Sequence, residues 1–257
     1  MTPEPNAPSE TEAGAFRDLP SMIARHAKAR PAARAVVEGD RSIDYAGFDT
    51  LIDRVAAALQ REGLGPGDCV AICAASSIEY VAVFIGALRA GLAAAPLAPG
   101  STPSQLAAMA SDCGAALIFI DDSVARLQVP WPVQAPVLRL DGGGGQGTLQ
   151  EWLAAPGARP LAVAIDPAWP FNLIYSSGTT GTPKGIVQPH AMRWAHVQRA
   201  VLAGYAPDAI TLVATPLYSN TTLVAVVPTL AYGGCLVLMA KFDALAYLQL
   251  AVQAEQR

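Results

Sequence analysis

Charged residues are scarce in this chain. They make up 15% of its 257 residues, against about 25% in typical soluble domains. The 17 basic and 21 acidic residues give a net charge of −4, which excludes a strong basic field for nucleic acid or an anionic membrane surface. Hydrophobic residues reach 52%, and the length is sufficient for a large core, built either as one domain or as two subdomains. This composition is typical of a globular enzyme without a nucleic-acid partner.

Cysteine and histidine are also rare, which argues against a metal centre. No two of the four cysteines form a C-x-x-C pair, so we interpret them as small apolar core residues with reduced thiols, which favours a cytoplasmic location. The four are Cys69, Cys73, Cys113 and Cys235. His190 and His196 are six residues apart, a spacing that does not put both on one helical face. His26 falls on the apolar face of the first predicted helix, where a structural role is expected.

The sequence lacks both an export signal and an uninterrupted membrane span. Residues 1–14 have no basic start and no apolar core, and their Pro, Glu, Ser and Thr content predicts a disordered tail over residues 1–15. Residues 209–240 contain no charged side chain, but helix- and strand-breaking residues divide them into short pieces. These are Pro216, Asn220, Pro228, Gly233 and Gly234. No transmembrane segment is expected.

Strand and helix patterns alternate along the rest of the chain. The apolar runs predict strands at 69–74, 92–97, 115–120, 210–215 and 235–239, and helices at 77–90, 103–112 and about 222–232. This alternation predicts an α/β fold with largely parallel sheets and flanking helices. Residues 141–147 are rich in glycine, but we expect no strand to lead into them and interpret them as a surface connection.

The most informative segment is the ten-residue stretch from Tyr175 to Lys184, which contains six hydroxyl side chains, two glycines and one lysine. An apolar run leads into it and predicts an interior strand over 171–176. Glycine lets successive backbone N–H groups face one anion, hydroxyls add donors, and lysine supplies a point charge for phosphate oxygens. Pro183 fixes its own φ and favours an extended Thr182, so the lysine leaves the loop in a set direction. The segment predicts a polyphosphate-binding loop.

Other functional glycine loops have different patterns. In the nucleoside-triphosphatase loop, lysine directly follows glycine and opens a helix, whereas here Pro183 precedes Lys184 and Gly185 follows it. Residues 186–189 predict a short strand instead of a helix. The two loop glycines do not fit G-x-G-x-x-G, and no G-x-S-x-G nucleophile motif surrounds the serines. The alternative that stays open is an ordinary Ser/Thr/Gly surface turn.

Residues Leu173–Gly185 resemble the phosphate-binding signature of the adenylate-forming superfamily, which contains acyl- and aryl-CoA synthetases, luciferases and the adenylation domains of peptide synthetases. Weaker segments are similar to other motifs of that superfamily in their order and spacing. They are Ser42–Tyr45 with Phe48 and Leu51, Ala87–Gly91 with Ala95–Leu97, Thr215–Tyr218 with Tyr232–Gly234, and Lys241–Asp243. The resemblance implies a partial AMP-binding domain over 16–257, with a first subdomain at about 16–165 and the phosphate loop and the start of a second subdomain at 166–257.

The resemblance implies a ligase reaction in two steps. A small carboxylic acid attacks the α-phosphorus of ATP to give an acyl-adenylate and pyrophosphate, and a thiol, usually that of coenzyme A, then takes the acyl group. ATP, Mg²⁺ and coenzyme A are the implied partners. The implied nucleotide-binding residues are Ser176, Ser177, Gly178, Thr179, Thr180, Gly181, Thr182 and Lys184. Residues 177–181 would cradle the β- and γ-phosphates, and Lys184 would hold the loop or the leaving pyrophosphate.

The chain also departs from the pattern of the superfamily. Acyl-CoA synthetases often carry a histidine where this chain has Ser219 and Asn220, so the acid pocket, for which Tyr218, Ser219 and Asn220 are the candidates, is expected to differ. Compared with the superfamily, the chain lacks the ribose-binding aspartate, the hinge and the catalytic lysine, so the resemblance implies the amino-terminal half of a ligase, either a fragment or a truncated reading frame. No catalytic residue and no protein metal ligand is therefore expected in this chain, which is expected to be inactive by itself.

Two other functions stay open at this point. The segments at 216–218 and 242–243 favour an acyl-CoA ligase, but an adenylation domain that delivers to a carrier protein is an alternative. A catalytically incomplete fragment that binds a nucleotide or a partner is the other. The identity of the acid is also open among fatty, aryl and short-chain acids.

Overall fold

The computed structural model describes residues 15–132, 134–142, 147–176 and 184–255, with side chains to residue 252. The helices are α1 (Leu19–Ala29), α2 (Tyr45–Arg61), α3 (Ile78–Arg89), α4 (Pro103–Asp112), α5 (Asp122–Ala125), α6 (Leu149–Trp152), α7 (His190–Ala200), α8 (Asn220–Tyr232) and α9 (Ala244–Glu255). The strands are β1 (Arg34–Glu38), β2 (Arg41–Asp44), β3 (Cys69–Cys73), β4 (Ala93–Pro96), β5 (Ala115–Ile120), β6 (Val137–Arg139), β7 (Pro170–Ser176), β8 (Lys184–Pro189), β9 (Ile210–Val213) and β10 (Cys235–Leu238). The predicted tail over residues 1–15 falls outside this part of the chain except for Ala15.

The larger sheet has six strands in the order β6-β5-β3-β4-β7-β8. Every neighbouring pair is parallel except β7 and β8, which form an antiparallel pair at one edge. All five residues of β3 are buried, as expected where helices cover both faces of a parallel sheet. The predicted α/β class with largely parallel sheets is confirmed.

The smaller sheet has four strands in the order β2-β1-β10-β9. Its first two strands form an antiparallel pair near the amino terminus, and β1 pairs in parallel with β10, so that Val36 lies opposite Leu236. Both sheets therefore contain strands from before and after residue 165, where the sequence predicts a subdomain boundary. That boundary stays a prediction.

A hydrogen bond from Tyr45 joins the beginning of the chain to its later strands. Its buried hydroxyl donates to the carbonyl oxygen of Gly234 at 2.8 Å, and Asp44 caps the same helix by accepting from the backbone N–H of Gly47 at 2.7 Å. His26 lies nearby, with its Nε2 2.8 Å from the carbonyl oxygen of Ala231. The structural role predicted for His26 is thus confirmed, and Tyr45 in the segment Ser42–Tyr45 serves to connect α2 with the smaller sheet.

Helix α3 lies at the centre of the core. Ten of its twelve residues are buried, all except Glu79 and Arg89, which is typical of a helix surrounded by other elements. Gly86 permits close packing on α2, because a Cβ atom at this position would lie 2.5 Å from Cγ1 of Val55. The helix ends in Arg89, whose charge is held by two carboxylates of α2.

The ion pairs and hydrogen bonds of Arg89 connect three helices. Nη2 is 2.6 Å from Oδ1 of Asp49, and Nη1 is 2.7 Å from Oδ1 of Asp53. Nη2 also donates to the carbonyl oxygen of Pro20 in α1 at 3.1 Å. The Arg89 side chain is 12% exposed and that of Asp53 is 9% exposed, so the charges are largely removed from solvent. Arg159, from the segment before β7, pairs with the second oxygen of Asp53.

Strand β6 ends at Arg139, so a strand does lead into the glycine-rich segment, and the expectation that none would is wrong. Pro228 lies inside α8 and does not end that helix. Within the described residues, no helix is long and apolar enough to cross a membrane. None of their His, Cys, Asp and Glu side chains forms a group of three that could hold a metal ion.

Candidate active site

A β-hairpin fixes both ends of the predicted phosphate loop. Strand β7 lies between β4 and β8, so the predicted interior position of residues 171–176 is confirmed. Its last residue, Ser176, is paired with Lys184, the first residue of β8. The six remaining predicted nucleotide-binding residues lie outside the described residues. They are Ser177, Gly178, Thr179, Thr180, Gly181 and Thr182. Their phosphate-binding role stays a prediction.

The position of this hairpin in the sheet suits ligand binding. Because β7 runs parallel to β4, the segment that follows Ser176 begins at the edge where the parallel strands have their carboxyl ends. Ligands of open α/β sheets bind outside this edge. An antiparallel strand follows the loop, in agreement with the short strand predicted for residues 186–189, and α7 begins only after it.

Tyr175 anchors the base of the loop to α4. Its hydroxyl donates toward Oδ2 of Asp112 at 2.7 Å and also lies 3.0 Å from the carbonyl oxygen of Met109. Burial, and the bond to the Asp112 carboxylate, raise the pKa of Tyr175 well above its usual range. Of the six hydroxyls counted in the sequence segment, this one therefore acts as a structural anchor.

Gly185 is closely packed at the same place. It is paired with Tyr175 across the hairpin, and a Cβ atom here would lie 3.1 Å from Oδ2 of Asp112 and 3.2 Å from the Tyr175 ring. The glycine after Lys184 thus makes room for the anchor. Lys184 itself is exposed and forms no ion pair with the part of the chain that the structure describes, so its charge is available to an anion at the end of the loop.

The three candidates for the acid pocket lie at the start of α8. Tyr218 and Ser219 are half-buried in the turn after β9, and Asn220 is the first residue of the helix. Ser219 occupies the N-cap position, but its hydroxyl lies 2.7 Å from that of Thr221 and does not cap the helix. Asn220 reaches the hairpin, where its Oδ1 accepts from Nε2 of Gln188 at 3.1 Å. The pocket role of the three stays a prediction.

Asn220 belongs to a polar network that sequence reasoning missed. We define the buried amide–arginine network as Asn172 of β7, Gln188 of β8, Arg193 of α7 and Asn220 of α8. Asn172 donates to Oε1 of Gln188 at 3.1 Å. Nη2 of Arg193 lies 2.9 Å from Oδ1 of Asn172 and 3.0 Å from Oδ1 of Asn220, and it also contacts Oε1 of Gln188. Nε of Arg193 donates to Oδ1 of Asn172 as well, at 3.2 Å.

Arg193 is directed inward by the geometry of α7. The residues of this helix that are buried are His190, Arg193, Val197 and Ala200, and their spacing of three or four residues places them on one face. Arg193 is only 2% exposed, and its guanidinium carbon lies 5.6 Å from the centre of the Phe171 ring. Burial lowers the pKa of Arg193 to about 10. The sequence signal was the apolar face formed by Val197 and Ala200, on which Arg193 falls.

His190 packs as a neutral aromatic ring beneath the hairpin. It is buried, and its ring meets that of Phe171 edge to face, with 5.1 Å between the ring centres. It begins α7, as predicted, and its backbone N–H donates to the carbonyl oxygen of Trp169 at 3.0 Å. Burial lowers the pKa of His190 to about 4, so the folded protein keeps this ring uncharged at neutral pH.

Acid is therefore expected to destabilise the fold through His190. In the unfolded chain the imidazole takes up a proton near pH 6.5, whereas the folded chain does so only near pH 4. The stability contribution is thus complete above pH 6.5 and is lost as the pH falls toward 4. Between pH 7 and pH 5 the wild type should lose about 2 kcal/mol more than His190→Leu. Urea unfolding of both proteins at the two pH values measures this, and equal losses would contradict it.

The sequence profile of the AMP-binding enzyme family matches residues 23–256. Among curated proteins, phosphinothricin tripeptide synthetase PhsB of Streptomyces viridochromogenes is 32% identical over 228 residues, which cover 86% of this chain and 18% of PhsB. The relatives of this chain thus include peptide synthetases.

Two solved structures with the same fold match this chain over nearly all of its length. The N-terminal domain of FACL13 from Mycobacterium tuberculosis is 26% identical, with a TM-score of 0.79. A Rhodopseudomonas palustris protein provisionally assigned as a long-chain-fatty-acid CoA ligase is 20% identical, with a TM-score of 0.82. Each match covers 93% of this chain and 61% of the solved chain, so this chain spans less than two thirds of the length of the proteins that it matches.

Proposed function

The chain belongs to the AMP-binding enzyme family, and we propose that the protein is an ATP-dependent acid–thiol ligase that activates a carboxylic acid as its acyl-adenylate. The hairpin of β7 and β8 carries this proposal, because it holds a hydroxyl- and glycine-rich segment at the carboxyl edge of a parallel sheet. Lys184, exposed at the far end of that segment, supports the same function. The family relationship supports ATP and Mg²⁺ as partners of the reaction.

The first half-reaction is an in-line displacement at phosphorus. An oxygen of the substrate carboxylate forms a bond to the α-phosphorus of ATP, the bond to the bridging oxygen breaks, and pyrophosphate leaves. In this proposal Ser177, Gly178, Thr179, Thr180 and Gly181 donate to the β- and γ-phosphates, and Ser176 and Thr182 stand at the borders of this cradle. Lys184 neutralises charge on the leaving group. Mg²⁺ supplies further neutralisation of the phosphate oxygens when it is bound with the nucleotide. The protein's main contribution is positioning and charge stabilisation.

The second half-reaction transfers the acyl group to a thiol. The thiol releases its proton to the surrounding water, its sulfur forms a bond to the acyl carbon, and AMP leaves with the electron pair of the broken bond between that carbon and the phosphate oxygen. Coenzyme A is our first candidate for this thiol because of the segments at 216–218 and 242–243. A carrier-protein thiol is the second candidate, favoured by the similarity to PhsB over 86% of the chain. A cytoplasmic location remains part of the proposal.

Acid-dependent exchange of pyrophosphate into ATP tests the first half-reaction. The full-length protein is expected to catalyse this exchange with at least one member of a panel of fatty, aryl and short-chain acids. Thioester formation is then measured with coenzyme A and, separately, with a phosphopantetheine-bearing carrier protein. Absence of exchange with every acid would exclude the proposed ligase. If exchange occurs but a thioester forms only on the carrier protein, the acceptor is the carrier protein and coenzyme A is excluded.

A further inference from the structure

The buried amide–arginine network contains a positive charge without a carboxylate partner. Its other three members are neutral amides, and among the described residues no Asp or Glu pairs with Arg193. Residues 177–183, which lie outside the described part of the chain, contain no acidic side chain in the sequence either. Burying a cation is costly unless it is paired and fully hydrogen-bonded. The charge of Arg193 is therefore compensated only in part by the protein around it.

The hydrogen bonds of Arg193 are also incomplete. A guanidinium has five N–H donors in a planar fork. Nε and Nη2 serve the three amide oxygens, whereas the buried Nη1 has no hydrogen-bond partner among the described residues. The vacant donors are the two N–H groups of Nη1, and a carboxylate oxygen accepts from such a cationic donor more strongly than a neutral oxygen does. The chemistry of the network thus indicates an anionic ligand.

The network lies well away from the predicted phosphate site along the hairpin. Asn172 lies four residues before Ser176, and Gln188 lies four residues after Lys184. At about 3.3 Å per residue of strand, the network is about 13 Å from the ends of the loop. The β- and γ-phosphates at the loop are therefore not its ligands, and the reacting carboxylate must lie next to the α-phosphate. Asn220, by contrast, connects the network to the start of α8, where the acid pocket is predicted.

We propose that Arg193, together with Asn172, Gln188 and Asn220, binds a second carboxylate at the far end of the acid substrate, so that the enzyme activates a dicarboxylic acid. This inference rests on the proposed ligase function and names its substrate class. A long unsubstituted aliphatic chain would leave the guanidinium desolvated and without a partner, whereas a terminal carboxylate completes its hydrogen bonds. The enzyme thus distinguishes dicarboxylic from monocarboxylic acids by the group at the distal end of the acid.

Matched substrate pairs test this proposal. Pyrophosphate exchange by the full-length protein is measured with succinate, glutarate and adipate, each beside the monocarboxylic acid of equal carbon number. The dicarboxylates are expected to have the higher kcat/KM. Arg193→Met should lower kcat/KM for the preferred dicarboxylate about ten- to a hundredfold, mainly through KM, and should leave the matched monocarboxylate unchanged or improved. Arg193→Lys, which keeps the charge but loses the fork, should fall between.

A second arginine on the same helix provides the control. Arg199 of α7 is exposed, and Arg199→Met should leave both acids unaffected. Equal losses for both members of a substrate pair in Arg193→Met would mean that Arg193 is structural, and a raised KM for ATP alone would assign the network to the nucleotide. Either result overturns the proposal, as does a wild-type preference for monocarboxylates. If Arg193→Met does not fold, the wild-type substrate preference and Arg193→Lys decide the question.

Direct binding separates this inference from the ligase proposal. Calorimetric titration of the full-length protein with the three dicarboxylates, in the absence of ATP, is expected to show binding that the matched monocarboxylates lack. Exchange with monocarboxylates only would leave the ligase function intact and overturn the dicarboxylate assignment. Absence of exchange with every acid would remove the ligase function, and dicarboxylate binding that is weakened in Arg193→Lys and lost in Arg193→Met would then still support the anion site. If the protein neither binds dicarboxylates nor catalyses exchange with them, the dicarboxylate proposal is overturned.

Discussion

Replacement of Thr180 or Lys184 by alanine is expected to slow acyl-adenylate formation about ten- to a hundredfold. In the proposed reaction both side chains donate to the β- and γ-phosphates of ATP, and loss of a charge-assisted donor typically costs about 1.5–3 kcal/mol. Thioester formation from a supplied acyl-adenylate should change much less, because that substrate has no β- or γ-phosphate. The two half-reactions should therefore respond differently to the same substitution.

Single-turnover kinetics of each half-reaction in the full-length protein measures this difference. Lys28→Ala is a suitable control, because Lys28 is an exposed lysine on α1 and does not belong to the predicted phosphate loop. It should leave both half-reactions at the wild-type rate. If Thr180→Ala and Lys184→Ala slow both steps equally, the loop serves the architecture of the site, and its assignment to phosphate binding fails.

Arg89→Ala is expected to reduce the free energy of unfolding by roughly 3 kcal/mol, the range found when one partner of a buried ion pair is removed. The substitution leaves Asp49 without its partner and Asp53 with only Arg159. It also removes the hydrogen bond to Pro20 that connects α1 to α3. For a domain of this size, the midpoint of thermal unfolding should fall by about 6–12 °C.

Arg61 provides a matched comparison, since it is the last residue of α2 as Arg89 is the last residue of α3. Its ion pair with Glu62 is exposed, with 50% and 46% of the two side chains accessible. Arg61→Ala should therefore cost less than about 1 kcal/mol. Calorimetric melting of both variants at pH 7 tests this difference. Similar shifts of the unfolding midpoint in Arg61→Ala and Arg89→Ala would contradict a special role for the buried cluster of Arg89, Asp49 and Asp53.

The alternation of strands and helices could be predicted because it follows from local pattern. The strand at Cys69–Cys73 is entirely apolar, and α4 begins at Pro103 with the preceding Thr102 and Gln105 forming a capping box. Both signals lie within a few residues of the element that they determine. The predicted boundaries accordingly differ from those in the structure by only one or two residues for most of these elements.

The amino-terminal hairpin was not predicted because its partner is distant in sequence. Strands β1 and β2 have five and four residues, and β2 has an exposed edge. What stabilises β1 is its pairing with β10, and no local pattern contains that information. Tyr45 illustrates the same limit, since the sequence segment that contains it was recognised by similarity while its hydrogen-bond partner Gly234 was not.

Only part of the candidate site was predicted, because the rest depends on residues that are distant in sequence. The hairpin strands and the position of His190 followed from apolar runs and from the loop composition. The buried network did not, because an arginine in a helix of mixed polarity is usually exposed. Its burial depends on two amides of neighbouring strands and on Asn220, which reaches it from a different helix. Only the tertiary fold brings these four side chains together.

The pairing of β1 with β10 has a consequence for synthesis of the protein. Val36 and Leu236 are separated by 200 residues, so β1 leaves the ribosome long before its parallel partner exists. At typical rates of about 5–20 residues per second, this delay is roughly 10–40 s. During that time β1 has only β2 beside it, and an isolated two-stranded hairpin is marginally stable in water. The nascent chain must therefore keep Val36 and its apolar neighbours soluble until β10 emerges, and closure of the smaller sheet is a late event in its folding.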